Sequence, residues 1–274
     1  MRRTHAGWIL AGIVIVVWAL LPALWIVSLS FKSPDEIGLS RAFLPRQPTW
    51  ENYRAVFATS LFTTALRNSI GIALVATLLA VSVASVAAYG VARLRFPGRR
   101  VLLVVALAIA MFPQAALIGS LFDMWRGAGL YDTWPGLVIP YLTFALPLAL
   151  WTMTAFFREI PWELEQAAQV DGATPWQAFR KVIVPLAAPG VFTTAILTFF
   201  FCWNDFLFAI ALTSTDRSRT VPAALAFFTG ASQYQSPVTA IAAASVVVTI
   251  PVVVLVLLFQ RRIVAGLTAG AVKG

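Results

Sequence analysis

Apolar residues gather into six long runs along this chain, at about 8–31, 69–92, 101–122, 137–157, 187–212 and 238–260, with polar stretches between them. As helices rising ~1.5 Å per residue, such runs are long enough to cross roughly 30 Å of hydrocarbon. The pattern predicts six membrane-crossing helices. Arg2 and Arg3 precede the first run as they would in a signal peptide. That run is longer than the roughly 7–15 apolar residues of a signal core, so a retained helix is expected.

One polar stretch has a helical pattern of its own. Pro161 suits a first helical position, where its missing N–H costs nothing, and Glu163 and Glu165 follow where a helix N-terminus favours negative charge. Asp171-Gly172 supplies a stop, and Thr174-Pro175-Trp176-Gln177 reads as a capping box opening a second helix that ends near Arg180 and Lys181. Each helix is about ten residues, roughly 15 Å long, too short to span a bilayer. The segment 161–185 is therefore expected as a two-helix hairpin at the membrane surface. Leu164, Ala167 and Ala168 share one face by spacing, and Trp176, Phe179 and Ile183 another.

Composition agrees with the runs. The chain is 60% hydrophobic and 11% charged, against ~45–50% and ~25% in soluble domains. A net charge of +9 would suit nucleic acid, but the basic residues are scattered between apolar runs with no aromatic-interleaved stripe, so no nucleic-acid partner is expected. Topology accounts for the charge better. The N-terminus, 93–100, the hairpin with Arg158 and the C-terminus carry 12 of the 20 Lys and Arg; the other side carries 8 and the acids Asp35, Glu36, Glu51, Asp123, Asp132 and Asp216. The positive-inside rule then places both termini and the hairpin in the cytoplasm, and an even number of spans requires the ends to share a side.

Little reactive chemistry is available. Cys202 is the lone cysteine and His5 the lone histidine, so neither a disulfide nor a metal site is expected. There is no phosphate-binding Gly-x-x-x-x-Gly-Lys-Ser/Thr loop and no His-Glu-x-x-His, so catalysis by this chain is not expected. Pro22, Pro113, Pro140, Pro147, Pro189 and Pro251 fall in or beside the spans, as membrane helices tolerate. Asp205 is the one acid deep in a span, with Phe201, Trp203, Asn204 and Phe208 near it. A charge there costs about 2.5–3.5 kcal/mol on insertion scales and must face the bundle interior or a wet cavity. Those five residues are candidates for a substrate pathway, and an interhelical polar contact is the equal alternative. A stand-alone secondary carrier remains the rival reading, although a carrier has no need of the hairpin.

The hairpin's Gln166-Ala167-Ala168, Gly172 and the run to Val184-Pro185 resemble the EAA loop of ATP-binding-cassette importer permeases. Also similar are Asn68-Ser69, Ala88-Tyr89-Gly90 followed by Arg93-Leu94-Arg95-Phe96-Pro97-Gly98, Trp203-Asn204-Asp205-Phe206-Leu207 and the segment 260–274. The likeness covers nearly the whole chain and is greatest to the carbohydrate-importer permeases of the smaller maltose-system type. Two positions depart from the family pattern: Gln166 stands where the triplet usually has Glu, with Glu165 one place earlier, and Asp205 stands for a usual Glu.

The resemblance implies an all-α integral membrane protein, a single permease domain over 1–274 with the six-helix type I importer fold, in a bacterial or archaeal cytoplasmic membrane. Its partners would be a second homologous permease, two ATP-binding cassette ATPases and an external sugar-binding protein or lipoprotein. ATP and Mg would belong to the ATPases, with no cofactor in this chain. The ATPase-coupling residues would be Glu165, Gln166, Ala167, Ala168, Asp171, Gly172, Trp176, Phe179, Arg180 and Pro185. The tail 261–274 would reach the ATPases through Gly266, Gly270 and Lys273. A cargo of peptide, phosphate or metal is the alternative within the same class.

Overall fold

The computed structural model describes residues 2–39, 42–228 and 238–269, and every regular element among them is helical. Two compact units are formed, Met1–Thr64 with Ala224–Pro251, and Ala65–Ala223 with Val252–Gly274.

The first unit begins with α1 (Arg2–Ser30). Its apolar stretch Gly7–Ser30 has no part of its most hydrophobic window covered by the rest of the chain. Trp8 and Trp18 stand almost fully exposed, so lipid or another protein must cover this helix. The polar stretch between the first two apolar runs contains α2 (Pro34–Leu39) and α3 (Glu51–Ala58). Asn52 fastens it by donating to the carbonyls of Ser30 (2.9 Å) and Lys32 (2.7 Å). Phe31, Trp50 and Tyr53 form a ring cluster beside that knot.

The second unit is organised by α4 (Ser60–Arg93), α5 (Arg99–Ala110), α6 (Gln114–Gly127) and α7 (Trp134–Glu159). Along α4, Ala73, Ala76, Ala80, Ala84 and Ala88 are all buried. Their three- and four-residue spacing makes one small-residue stripe that lets neighbouring helices approach closely. Ala84 and Ala88 pack with Ala149, Leu150, Met153 and Phe157 of α7. Thr133 caps α7 by accepting from the Gly136 N–H at 3.1 Å, and Pro140 and Pro147 lie inside the helix.

The hairpin follows as α8 (Trp162–Val170), α9 (Pro175–Ala178), a π-helical turn over Phe179–Ile183 and α10 (Val184–Leu186). After it come α11 (Ala188–Trp203), α12 (Leu207–Leu212), α13 (Val221–Ala226) and α14 (Val238–Ala269). On α11, Gly190 lies under the Phe156 ring, where a Cβ would sit 2.3 Å from a ring carbon. The absence of a side chain there permits the close crossing with α7.

Among the described residues four helices are each long and apolar enough to cross a membrane: the Gly7–Ser30 part of α1, α4, α7 and the Val238–Gln260 part of α14. Two bent pairs bring the number to as many as six. The run expected as one helix over 101–122 is divided between α5 and α6, which bend by 84°. Pro113 sits at that break, where it can neither donate to a helix nor leave its predecessor freely helical. The second bent pair is Pro175–Leu186 with α11, at 74°. The run expected over 187–212 is likewise not one rod, since the helix stops at Trp203 and resumes at Leu207. At the far end α14 continues beyond 260 to Ala269, so part of the expected tail, including Gly266, is helical. Gly270 and Lys273 lie outside the described residues.

Candidate functional site: the surface hairpin and a broken helix

Each turn of the hairpin has a local cause. Pro161 is the N-cap of α8, one place earlier than expected, and Glu163 and Glu165 fall in the first turn. The helix stops at Asp171, Gly172 takes φ +88°, and the Ala173 N–H donates back to the Ala168 carbonyl at 2.9 Å. A left-handed residue at that place satisfies the last carbonyls of the helix. The expected capping box is present: the Gln177 N–H donates to Thr174 Oγ1 at 3.3 Å, and the Thr174 N–H to Gln177 Oε1 at 2.8 Å. Beyond it the Val184 N–H bonds to the Phe179 carbonyl. That wide turn precedes Pro185, which has no N–H to continue the α-helical ladder.

The hairpin is held by its inner face. Glu165, expected among the ATPase-coupling residues, is only 3% exposed. Tyr89 of α4 donates its hydroxyl to Glu165 Oε1, and Arg93, one helical turn further on, places Nε 3.5 Å from Glu165 Oε2. The same guanidinium donates to the Ile160 carbonyl at 2.8 Å and lies over the Trp162 ring. At 3.5 Å the Arg93–Glu165 contact is an ion pair without a short hydrogen bond, and among the described residues neither Nε nor Oε2 has a hydrogen-bond partner. Phe179 is also buried, with its ring 4.7 Å from Tyr89 and 6.2 Å from Phe157. Glu165 and Phe179 thus anchor the hairpin to α4 and α7. Tyr89 and Arg93 complete the anchor, and their four-residue separation at the end of a helix is the signal in the sequence that would have found them.

The outer face is left bare. Gln166, Ala167, Asp171, Gly172, Arg180 and Pro185 are exposed and Ala168 is half-buried. Val170 is 87% exposed and Trp176 58%. Val170 and Trp176 thus point outward on either side of a turn that is itself closed by Gly172 and the Thr174–Gln177 capping box, a combination that suits a protein partner.

The second set of candidates lies where α11 breaks. Asn204 Nδ2 donates to the Phe200 carbonyl at 2.8 Å, one turn back. Asp205 Oδ2 accepts from the Tyr141 hydroxyl at 2.8 Å and the Ala209 N–H at 3.0 Å, and Oδ1 accepts weakly from the Phe208 N–H at 3.4 Å. The acid therefore fastens the start of α12 to α7. A cavity of about 420 Å³ opens beside it, lined by Gln114, Phe201, Asn204, Asp205, Phe206 and Leu207. The structure brings Phe201, Asn204 and Asp205 to this cavity. Trp203 is buried and stacked 5.5 Å from Phe199, and Phe208 is buried against Phe144. Gln114 and Phe206 were not among the candidates. A lone polar residue directly after Pro113 in an apolar run was the available signal.

A third polar cluster joins Asn68 of α4 to the segment before α7 and the segment after α12. Asp132, at φ 57°, accepts from the Ser214 and Thr215 N–H groups and from the Thr215 and Ser218 hydroxyls. Burial pushes its carboxyl up, but these hydrogen bonds outweigh it and hold the group below its ordinary value. Asn68 donates to the carbonyls of Asp216 and Arg219 and accepts from Trp134 Nε1.

Comparison with known proteins gives a family match over residues 76–265, to the binding-protein-dependent transport system inner membrane component. Over 272 residues the chain is 57% identical to the trehalose transport system permease protein SugB of Mycobacterium tuberculosis, covering 99% of each. It is 40% identical to the trehalose/maltose transport system permease protein MalG of Thermococcus litoralis, covering 97% of this chain and 96% of that one. Among solved structures, a chain of a bacterial ABC transporter involved in the import of the acidic polysaccharide alginate superposes with a TM-score of 0.78 at 25% identity, covering 95% of this chain and 98% of that one.

Proposed function

This chain belongs to the inner membrane components of binding-protein-dependent transport systems, and from that premise we propose that it is one permease half of an ATP-driven sugar importer. The cargo we infer is a disaccharide of the trehalose or maltose kind, the sugars named for its two relatives above. A second homologous permease completes the pathway, and a sugar-binding protein or lipoprotein delivers the cargo from outside. Two ATP-binding cassette subunits supply the ATP and Mg chemistry. The chain sits in a prokaryotic cytoplasmic membrane with both termini and the hairpin inside.

The observation that carries this reading is the two-sided hairpin. Its outer face, with Ala167, Val170, Trp176 and Arg180 exposed, has the mixed apolar and basic character of a docking surface. Its inner face is bound through Glu165 to Tyr89 and Arg93 of α4 and through Phe179 to the core. A push on the outer face is then delivered to α4 and α7, because a buried ion pair and a packed aromatic cluster do not slide independently of the helices that hold them. Closure of the ATPase pair drives the hairpins together, and the spans rock between inward- and outward-facing arrangements. Gly266, Gly270 and Lys273 remain part of the proposal as contacts of the C-terminal segment with the ATPases.

The test is assembly followed by coupling. The chain is co-expressed with its second permease, ATPase and binding protein, and ATP hydrolysis by the purified complex is measured with and without trehalose or maltose bound to the binding protein. Sugar-dependent stimulation is expected. Uptake of sugar by this chain alone in ATP-depleted vesicles would instead make it a secondary carrier.

A further inference from the structure

Two helix breaks border the 420 Å³ cavity: Gln114, the first residue after the break at 111–113, lines it together with Asn204, Asp205 and Phe206 of the break at 204–206. Both interrupt long apolar runs of the sequence. Helix α5 has 12 residues and α11 has 16, about 18 and 24 Å of rise, each short of the roughly 30 Å of hydrocarbon. Interrupted backbone at that depth is tolerated only where it is buried in protein or lines a wet cavity. Here it lines a cavity whose size is within the roughly 300–1,000 Å³ of small-molecule sites.

The lining combines two chemistries. Phe206 is 44% exposed and Phe201 half-buried, which provides flat apolar surface. Among the described residues the Gln114 side chain makes no hydrogen bond and Asn204 pairs only through Nδ2, with the Phe200 carbonyl, so both amides line the cavity with groups that can still donate or accept. Asp205 is already engaged by Tyr141, Phe208 and Ala209. Faces of sugar rings are apolar and their rims carry hydroxyls that both donate and accept, which matches aromatic rings beside neutral amides. Resting on the importer reading above, we propose that this cavity is a sugar subsite of the translocation pathway. In it Phe206 and Phe201 meet a pyranose face, and Gln114 and the Asn204 oxygen bind its hydroxyls. Asp205 is a positioning residue that holds the break in shape.

The experiment uses the complete transporter in cells, with saturating binding protein, and compares uptake of radiolabelled trehalose and maltose. Gln114→Ala and Phe206→Ala are expected to change the trehalose-to-maltose rate ratio by roughly three- to ten-fold, the size of one or two lost specific contacts. Phe206→Trp keeps a ring and is expected to retain most of the transport. Recovery of the ATPase with the purified variant shows that it has assembled. A variant that merely folds poorly lowers both sugars together and leaves the ratio unchanged. An unchanged ratio in both alanine variants, with wild-type uptake intact, overturns the subsite while leaving the importer reading standing. Failure of the wild-type complex to take up either sugar overturns the disaccharide cargo, and the subsite with it.

Discussion

Glu165 Oε2 lies 3.5 Å from Arg93 Nε with both side chains out of solvent, and this pair joins the surface hairpin to the end of α4. Removing one partner of a buried pair leaves the other charge uncompensated, at a cost of about 3–5 kcal/mol. Glu165→Ala is therefore expected to lower the thermal stability of the purified complex and to uncouple it, so that ATP hydrolysis persists without sugar uptake. Glu165→Gln keeps a hydrogen-bond acceptor for Tyr89 and is expected to be milder. Melting temperature and the ratio of sugar transported to ATP hydrolysed check both.

Asp205 gives a prediction about structure. Its carboxylate satisfies Tyr141 and two backbone N–H groups at the start of α12. Asp205→Ala leaves them unpaired, with an expected loss of about 1–3 kcal/mol. Because the tyrosine hydroxyl has then lost its partner, Tyr141→Phe in that background is expected to cost little more. Thermal denaturation of the two single variants and the double variant measures the coupling.

The Asp132 cluster predicts a pH dependence with a definite sign. Its folded-state carboxyl is held below the ordinary value of 3.8, so the folded protein favours the ionised form. The stabilisation is fully present above that ordinary value and is lost as pH falls through the lower folded-state value. Wild-type protein is expected to lose stability on acidification below about pH 4, and Asp132→Asn to lose less over the same range. Melting temperatures between neutral pH and pH 3 decide it.

The crossing of α7 and α11 depends on Gly190, where a Cβ would fall 2.3 Å from the Phe156 ring. Gly190→Val is expected to cost at least the roughly 1–3 kcal/mol of overpacking. Phe156→Ala in the same chain is expected to recover part of it. Expression level and melting temperature of the single and double variants provide the measurement.

The long helices and the hairpin were legible because each rests on a local rule: apolar length for the spans, and Pro161, Gly172 and Thr174–Gln177 for the hairpin's ends. Composition could not show the breaks at 111–113 and 204–206, because hydrophobic runs read alike whether the backbone passes straight through or turns. Pro113 was visible but is ordinary in membrane helices, and the stop at Asn204 depends on Asp205 finding Tyr141 on another helix. The direction of Glu165 was hidden for the same reason. An acid on a short amphipathic helix reads as solvent-facing until Tyr89 and Arg93, far away in the chain, are brought against it.

If the outer face of 161–185 seats a separate ATPase, a bulky side chain at Ala167 must obstruct it, because the methyl group there is exposed while the backbone bond from the Asp171 N–H to the Ala167 carbonyl is left in place. Ala167→Trp is introduced, and the membrane-extracted complex is assayed for ATPase recovered with the chain and for sugar uptake in cells. The expected result is loss of both, while the chain itself accumulates in the membrane at its wild-type level. Full ATPase recovery and undiminished uptake with Trp at that position would show that no ATPase seats on this face.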